Sequence, residues 1–203
     1  MKERAVLDVS TLPTSGFGPR TTPWWGTLAF IGIEGAGFAL AVGMYLYLIY
    51  VNGQWPLNAQ PPNHWPGTIL TILLLASLWP NARADADAHK LDLRRTRLWL
   101  IIASLVGIAA LGIRAYEFAN LNVMWDANAY GSIIWFILGL HTVHLLTDVG
   151  DTIVLTVLMF TRHATERRFS DVTDNAFYWY FVVGSWLLLY GLIYWAPRLG
   201  IGG

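Results

Sequence analysis

Five apolar stretches divide the chain, at residues 24–50, 65–81, 98–119, 130–160 and 176–196. A helix needs roughly 20 mostly apolar residues to cross a hydrocarbon core of about 30 Å. All but the second stretch reach that length, and the second is bracketed by Pro66 and Pro80. The fourth is long enough to tilt or to extend past the membrane. None shows the sustained alternation of a barrel strand. The pattern predicts spanning helices, each satisfying its own backbone hydrogen bonds. The expected fold class is all-α: a polytopic membrane protein with five transmembrane helices. Residues 1–23 read as an N-terminal tail and 24–203 as a single five-helix transmembrane domain. The first apolar run is too long for the h-region of a secretory signal, which predicts an uncleaved first helix.

The basic residues orient these spans. Of the 13 lysines and arginines, all but Arg114 and Arg198 fall in the tail, in the second-to-third connection or in the fourth-to-fifth connection. The positive-inside rule then predicts a cytoplasmic N-terminus, and the odd number of spans puts the C-terminus outside, in the periplasm. Arg94, Arg95, Arg97 and Arg162 crowd the cytoplasmic interface, where anionic headgroups sit, and are candidate lipid contacts. Trp24, Trp25, Trp55, Trp65, Trp79, Trp125 and Trp195 fall near span ends and read as interfacial anchors.

Composition narrows the function. Hydrophobic residues make up 55% of the 203 and charged residues 13%, about half the charge of a soluble domain. The formal net charge is zero, so no overall field recruits nucleic acid or an acidic partner. Cysteine is absent, which excludes disulfides, iron–sulfur clusters and thiolate catalysis. There is no phosphate-cradling glycine loop and no nucleophile elbow. The chain reads as a membrane subunit rather than a catalyst by itself.

The informative residues are the titratable ones inside spans, because each needs a partner or a purpose there. Glu34 lies mid-span in Gly32-Ile33-Glu34-Gly35-Ala36-Gly37, where small residues allow close helix approach. Proton handling and a hydrogen-bonded structural carboxyl are both open for it. Arg114 and Glu117 are three apart and can pair on one helix face. His141, His144, Asp148 and Asp151 are spaced by three, four and three, which puts them on one stripe of the fourth span. A polar seam against other helices, a proton or ion path and a metal site all fit that stripe. Haem ligation does not, because the other histidines, His64, His89 and His163, lie in connections.

The order of several short motifs resembles subunit III of the haem–copper respiratory oxidases, the cytochrome c oxidase subunit III family, in its short five-helix bacterial form. The motifs are Glu34 in the first span, Tyr116-Glu117, Tyr130-Gly131-Ser132 and Gly139-Leu140-His141-Thr142-Val143-His144. Phe177-Tyr178-Trp179-Tyr180-Phe181-Val182 with Trp186, and Ile193-Tyr194-Trp195, complete the set. The likeness spans roughly residues 24–197. Against the family pattern, Arg114 replaces a glutamine, Thr142 and Asp148 replace glycines, Tyr180 a histidine and Val183 an aspartate. Asp148 and Val183 are expected to face each other as a compensating exchange of carboxylate between the fourth and fifth spans.

The resemblance implies an accessory subunit without a redox centre of its own. It would serve a proton-pumping terminal oxidase of aa3 type in a bacterial inner membrane. Haem and copper would sit in partner subunits. The chain would pack directly on subunit I, beside subunit II, bind phospholipid in a cleft, and help proton uptake. The cleft is expected between spans one and two on one side and spans three to five on the other. Glu34, Arg114, Glu117, His141, His144 and Asp148 are the expected seam and proton-uptake residues, with His141 or His144 bonded to Glu117 or Glu34. A quinol oxidase or nitric-oxide reductase subunit, and an independent ion or metal transporter, are the competing readings.

Overall fold

The computed structural model describes residues 22–161 and 164–200, the side chains of Glu166 and Arg167 excepted. The tail from residue 1 to 21 and Arg162 lie outside the described residues. Five long helices follow one another: α1 (Thr22–Asn52), α2 (His64–Ala88), α3 (Leu93–Ala119), α4 (Ala129–Met159) and α5 (Glu166–Tyr190). A π-helical turn, Gly191–Trp195, extends α5. Among the described residues, four segments are long and apolar enough to cross a membrane: α1, α3, α4 and Arg168–Trp195. α2 is as long as α5, but its second half carries Arg83, Asp85 and Asp87. It also runs through Pro80 instead of stopping there. Proline removes one helical hydrogen bond, and tertiary contacts on both sides of Pro80 hold the helix together. Trp179 Nε1 donates to Ser77 Oγ at 2.8 Å, and Asn81 Nδ2 donates to the Ala176 carbonyl at 3.0 Å.

Successive helices run antiparallel. α2 and α3 form a tight hairpin around Leu91, whose φ of 57° turns the chain. The Asp92 carboxylate caps α3 by accepting from Arg95 N at 3.1 Å. Asn128 caps α4, accepting from Gly131 N at 2.8 Å, while its Nδ2 donates to the Leu57 carbonyl at 2.9 Å. Gly131 is required there, because a Cβ would collide with the Met124 carbonyl oxygen. Asn128→Ala should therefore lower stability by about 1–2 kcal/mol, since it removes a cap and a loop tether together. A thermal melt in detergent against wild type measures it.

The helices do not group as expected. α2 packs along α3 and α5, whereas α1 packs on α4 and α5 and shares no extensive interface with α2. The cause is a polar stripe on α2. Besides Ser77 and Asn81, Thr71 Oγ1 accepts from Trp186 Nε1 at 2.8 Å, and Thr68 meets the Tyr190 hydroxyl at 2.7 Å. Each bond contributes on the order of 0.6 kcal/mol inside a membrane, and the four together register α2 on α5. The open space is accordingly a groove between α1 and the α4–α5 pair. Trp55 is not an interfacial anchor either. It is 7% exposed, donates to the Tyr45 hydroxyl at 2.9 Å and packs edge-on against Tyr130. Trp65, Trp79, Trp125 and Trp195 are exposed, as anchors would be.

Candidate functional site

Two polar constellations occupy the bundle. The first is a closed seam joining α2, α3, α4 and the end of α5. Arg114 and Glu117 are each 1% exposed, and Arg114 Nη1 donates to Glu117 Oε2 at 2.6 Å. Arg114 Nη2 lies 2.9 Å from His141 Nδ1, while His141 Nε2 lies 3.0 Å from the Val182 carbonyl. A carbonyl only accepts, so Nε2 carries the ring hydrogen and Nδ1 accepts from the guanidinium. His141 is thus held neutral in one tautomer. The guanidinium lies over the Trp186 ring at 4.0 Å from its centroid, a cation–π contact made by a buried group. The Tyr194 hydroxyl donates to Glu117 Oε1.

This seam depends on local backbone shape. The π-helical turn buries both Ile193 and Tyr194, and Tyr194 crosses directly over Gly67 of α2. A Cβ at Gly67 would lie 2.6 Å from Tyr194 Cζ. Thr71 Oγ1 donates to the Gly67 carbonyl at 2.7 Å while accepting from Trp186. One face of α2 therefore sets both aromatic walls of the Arg114 site.

The second constellation lines the groove, at the end of the bundle where α1 and α5 begin and α4 ends. Its volume is about 520 Å³. Glu34, His144, Asp148, Asp151, Asp171, Asp174 and Tyr178 line it, with apolar walls from Phe30, Val154 and Leu158. Tyr178 donates to Glu34 Oε2 at 2.5 Å. His144 Nε2 lies 3.3 Å from Glu34 Oε1, and its Nδ1 lies 2.6 Å from the Leu140 carbonyl. By the same logic Nδ1 carries a hydrogen, and Nε2 faces Glu34 with no hydrogen-bond partner among the described residues. Phe38 covers both histidines, its ring centroid 4.8 Å from that of His144 and 6.3 Å from that of His141.

All six expected seam residues are placed in these two groups. Arg114, Glu117 and His141 belong to the seam; Glu34, His144 and Asp148 line the groove. The single stripe expected on α4 is divided: His141 turns into the bundle, while His144 and Asp148 face the groove. Asp148 does face α5, but His141 stands level with Val182, and Asp148 is seven residues further along. That is about 10 Å of helix, so Asp148 sits level with Asn175 and Tyr178 rather than Val183. The expected exchange between Asp148 and Val183 does not occur. Among the described residues, no three His, Cys, Asp or Glu side chains converge as a metal ion requires.

The candidate lipid contacts also separate. Arg94 is exposed. Arg95 lies 3.4 Å from Asp92. Arg97 is committed inside the protein: its Nε donates to the Met159 carbonyl at 2.7 Å, closing the end of α4, and it stacks over Phe160. Sequence reasoning missed Thr71, Trp186, Tyr194 and Gly67 as parts of the site. The helical spacing of Thr68 and Thr71 in an apolar run is the signal that could have found the first.

A model of the cytochrome c oxidase subunit III family matches residues 54–197. The chain is 27% identical to cytochrome c oxidase subunit 3 of Thermostichus vulcanus over 172 residues, which cover 83% of this chain and 85% of the relative. It is 26% identical to a probable cytochrome c oxidase subunit 3 of Mycobacterium tuberculosis over 173 residues, with the same coverage. It is 28% identical to cytochrome c oxidase subunit 3 of Synechocystis over 178 residues, covering 84% of this chain and 74% of the relative.

Proposed function

Because the chain belongs to the cytochrome c oxidase subunit III family, we propose that it is the redox-silent accessory subunit of a proton-pumping aa3-type oxidase. Membership makes it a multi-pass membrane component of an oxidoreductase complex, associated with other oxidase subunits. In the proposed setting it sits in a bacterial inner membrane with its N-terminus cytoplasmic. α2 crosses as a fifth span, and the chain packs on subunit I, which with subunit II holds the haem and copper. The observation that carries the redox-silent reading is the engagement of His141. Its two ring nitrogens face Arg114 and the Val182 carbonyl, so neither has a lone pair free for a metal.

The two constellations then divide the work. The seam knits four helices into a rigid docking body. The groove, opening at the cytoplasmic end in this orientation, takes phospholipid acyl chains along Phe30, Val154 and Leu158, and passes protons along its acidic floor. Arg94 and Arg95, at the same end, meet the headgroups, while Arg97 closes α4.

Glu34→Gln and His144→Ala test this assignment in the assembled oxidase. Each should leave haem content at the wild-type level while shortening the working life of the enzyme, with about 1 kcal/mol lost from the subunit. Haem spectra and activity over successive turnovers measure the two effects. Loss of haem in either variant contradicts the assignment.

A further inference from the structure

Three groove carboxyls, Asp148, Asp151 and Asp174, are used by no ion pair among the described residues, and Asp148 is the buried one. Asp148 is 2% exposed, lines the groove wall, and its Oδ2 has no hydrogen-bond partner among the described residues. A bare buried carboxylate costs several kcal/mol, so the group carries a proton or meets a cation. The titratable groups around the same groove are Glu34 from α1, His144 and Asp151 from α4, and Arg168, Asp171, Asp174 and Tyr178 from α5. Arg168 is held 2.8 Å from Asp171, and His144 faces Glu34. Among the described residues, both basic groups of the groove are therefore already matched with a carboxyl, and acids remain in excess. A proton is what these surroundings leave for Asp148.

Its neighbours give that proton a route. Asp151 is exposed and Asp148 buried, and His144 lies one turn further in. Spacings of three and four put all three on one face. At the inner end, His144 Nδ1 is fixed on the Leu140 carbonyl, while Nε2 stands 3.3 Å from Glu34 Oε1 with no hydrogen-bond partner among the described residues, so that nitrogen and the Glu34 carboxylate are the sites facing an incoming proton.

We propose that Asp148 is a proton-exchange residue, taking a proton from groove water beside Asp151 and passing it inward to the Glu34–His144 pair. In the transfer the Asp148 O–H bond breaks, and a new bond forms at the Glu34 carboxylate or at His144 Nε2. Asp148 is then reprotonated from groove water. This rests on the reading that the groove passes protons in an oxidase.

The test is infrared difference spectroscopy of the purified oxidase complex in light and heavy water, with turnover measured across pH, on wild type, Asp148→Asn and Glu34→Gln. Wild type should show a deuterium-sensitive protonated-carboxyl band that Asp148→Asn lacks. Turnover of that variant should begin its alkaline decline at lower pH and fall several-fold at high pH, with haem content unchanged. If the band persists in Asp148→Asn, Asp148 is ionised against a cation from a neighbouring subunit and the proposal is overturned. If only Glu34→Gln moves the pH profile, the proposal fails while the groove remains a proton path. If neither variant moves it, the groove reading fails and takes the proposal with it.

Discussion

Arg114→Leu should detach this subunit from its complex or leave it unable to accumulate, at a cost of about 3–5 kcal/mol. The substitution strips Glu117 of its cation and His141 Nδ1 of its donor in one step, at a depth where Arg114 and Glu117 are each 1% exposed. Tyr194 alone would then serve the Glu117 carboxylate. The cost is that of an orphaned buried charge rather than the value of the pair. Arg114→Leu combined with Glu117→Leu should therefore recover much of the loss, because two apolar side chains of similar volume leave nothing charged behind. Arg114→Lys should fall between them. An ammonium keeps the charge but not the planar fork that reaches Glu117 and His141 together while lying over Trp186. Subunit stoichiometry of the purified complex and its melting in detergent give the order. If the double variant is no better than the single one, the seam is not held by charge compensation.

Much of this arrangement is legible in the amino-acid sequence. The apolar runs mark α1, α3, α4 and α5. The three-residue spacing of Arg114 and Glu117 announces a pair, and the motifs around His141 and His144 point to the family. What the sequence hides is which helices become partners. Thr68, Thr71, Ser77 and Asn81 look like incidental polar residues of an apolar helix, since spacing along one helix says nothing about which neighbour it meets. Their bonds to α5 decide that α2 lies there and that α1 does not lie against α2. Trp55 reads as an anchor because tryptophan is common at interfaces. Its burial follows from the fold-back of the loop after α1, where it meets Tyr45 and Tyr130. The turn that buries Tyr194 has no signature, because a π-helical turn inserts no characteristic residue and is set by packing around it.

Gly67→Ala should be the most damaging single-methyl change at the seam, about 1–3 kcal/mol, although it lies on α2 and touches neither charge. The added Cβ would stand 2.6 Å from Tyr194 Cζ and 2.9 Å from its hydroxyl oxygen. Tyr194 is 1% exposed and packed against Tyr190, so its ring has nowhere to retreat without moving the end of α5. Any displacement pulls the hydroxyl from Glu117 and disturbs the carboxylate that holds Arg114. Helix propensity works the other way, since alanine is favoured over glycine within a helix by about 1 kcal/mol. A net loss therefore isolates the steric term. Tyr194→Leu supplies the control: it removes the ring, costs stability by itself through the lost Glu117 contact, and should cancel the penalty of Gly67→Ala. In that background the alanine should be neutral or stabilising. Melting of the four members of this cycle in detergent decides it. Additive losses would show that Gly67 matters for some reason other than the close passage of Tyr194.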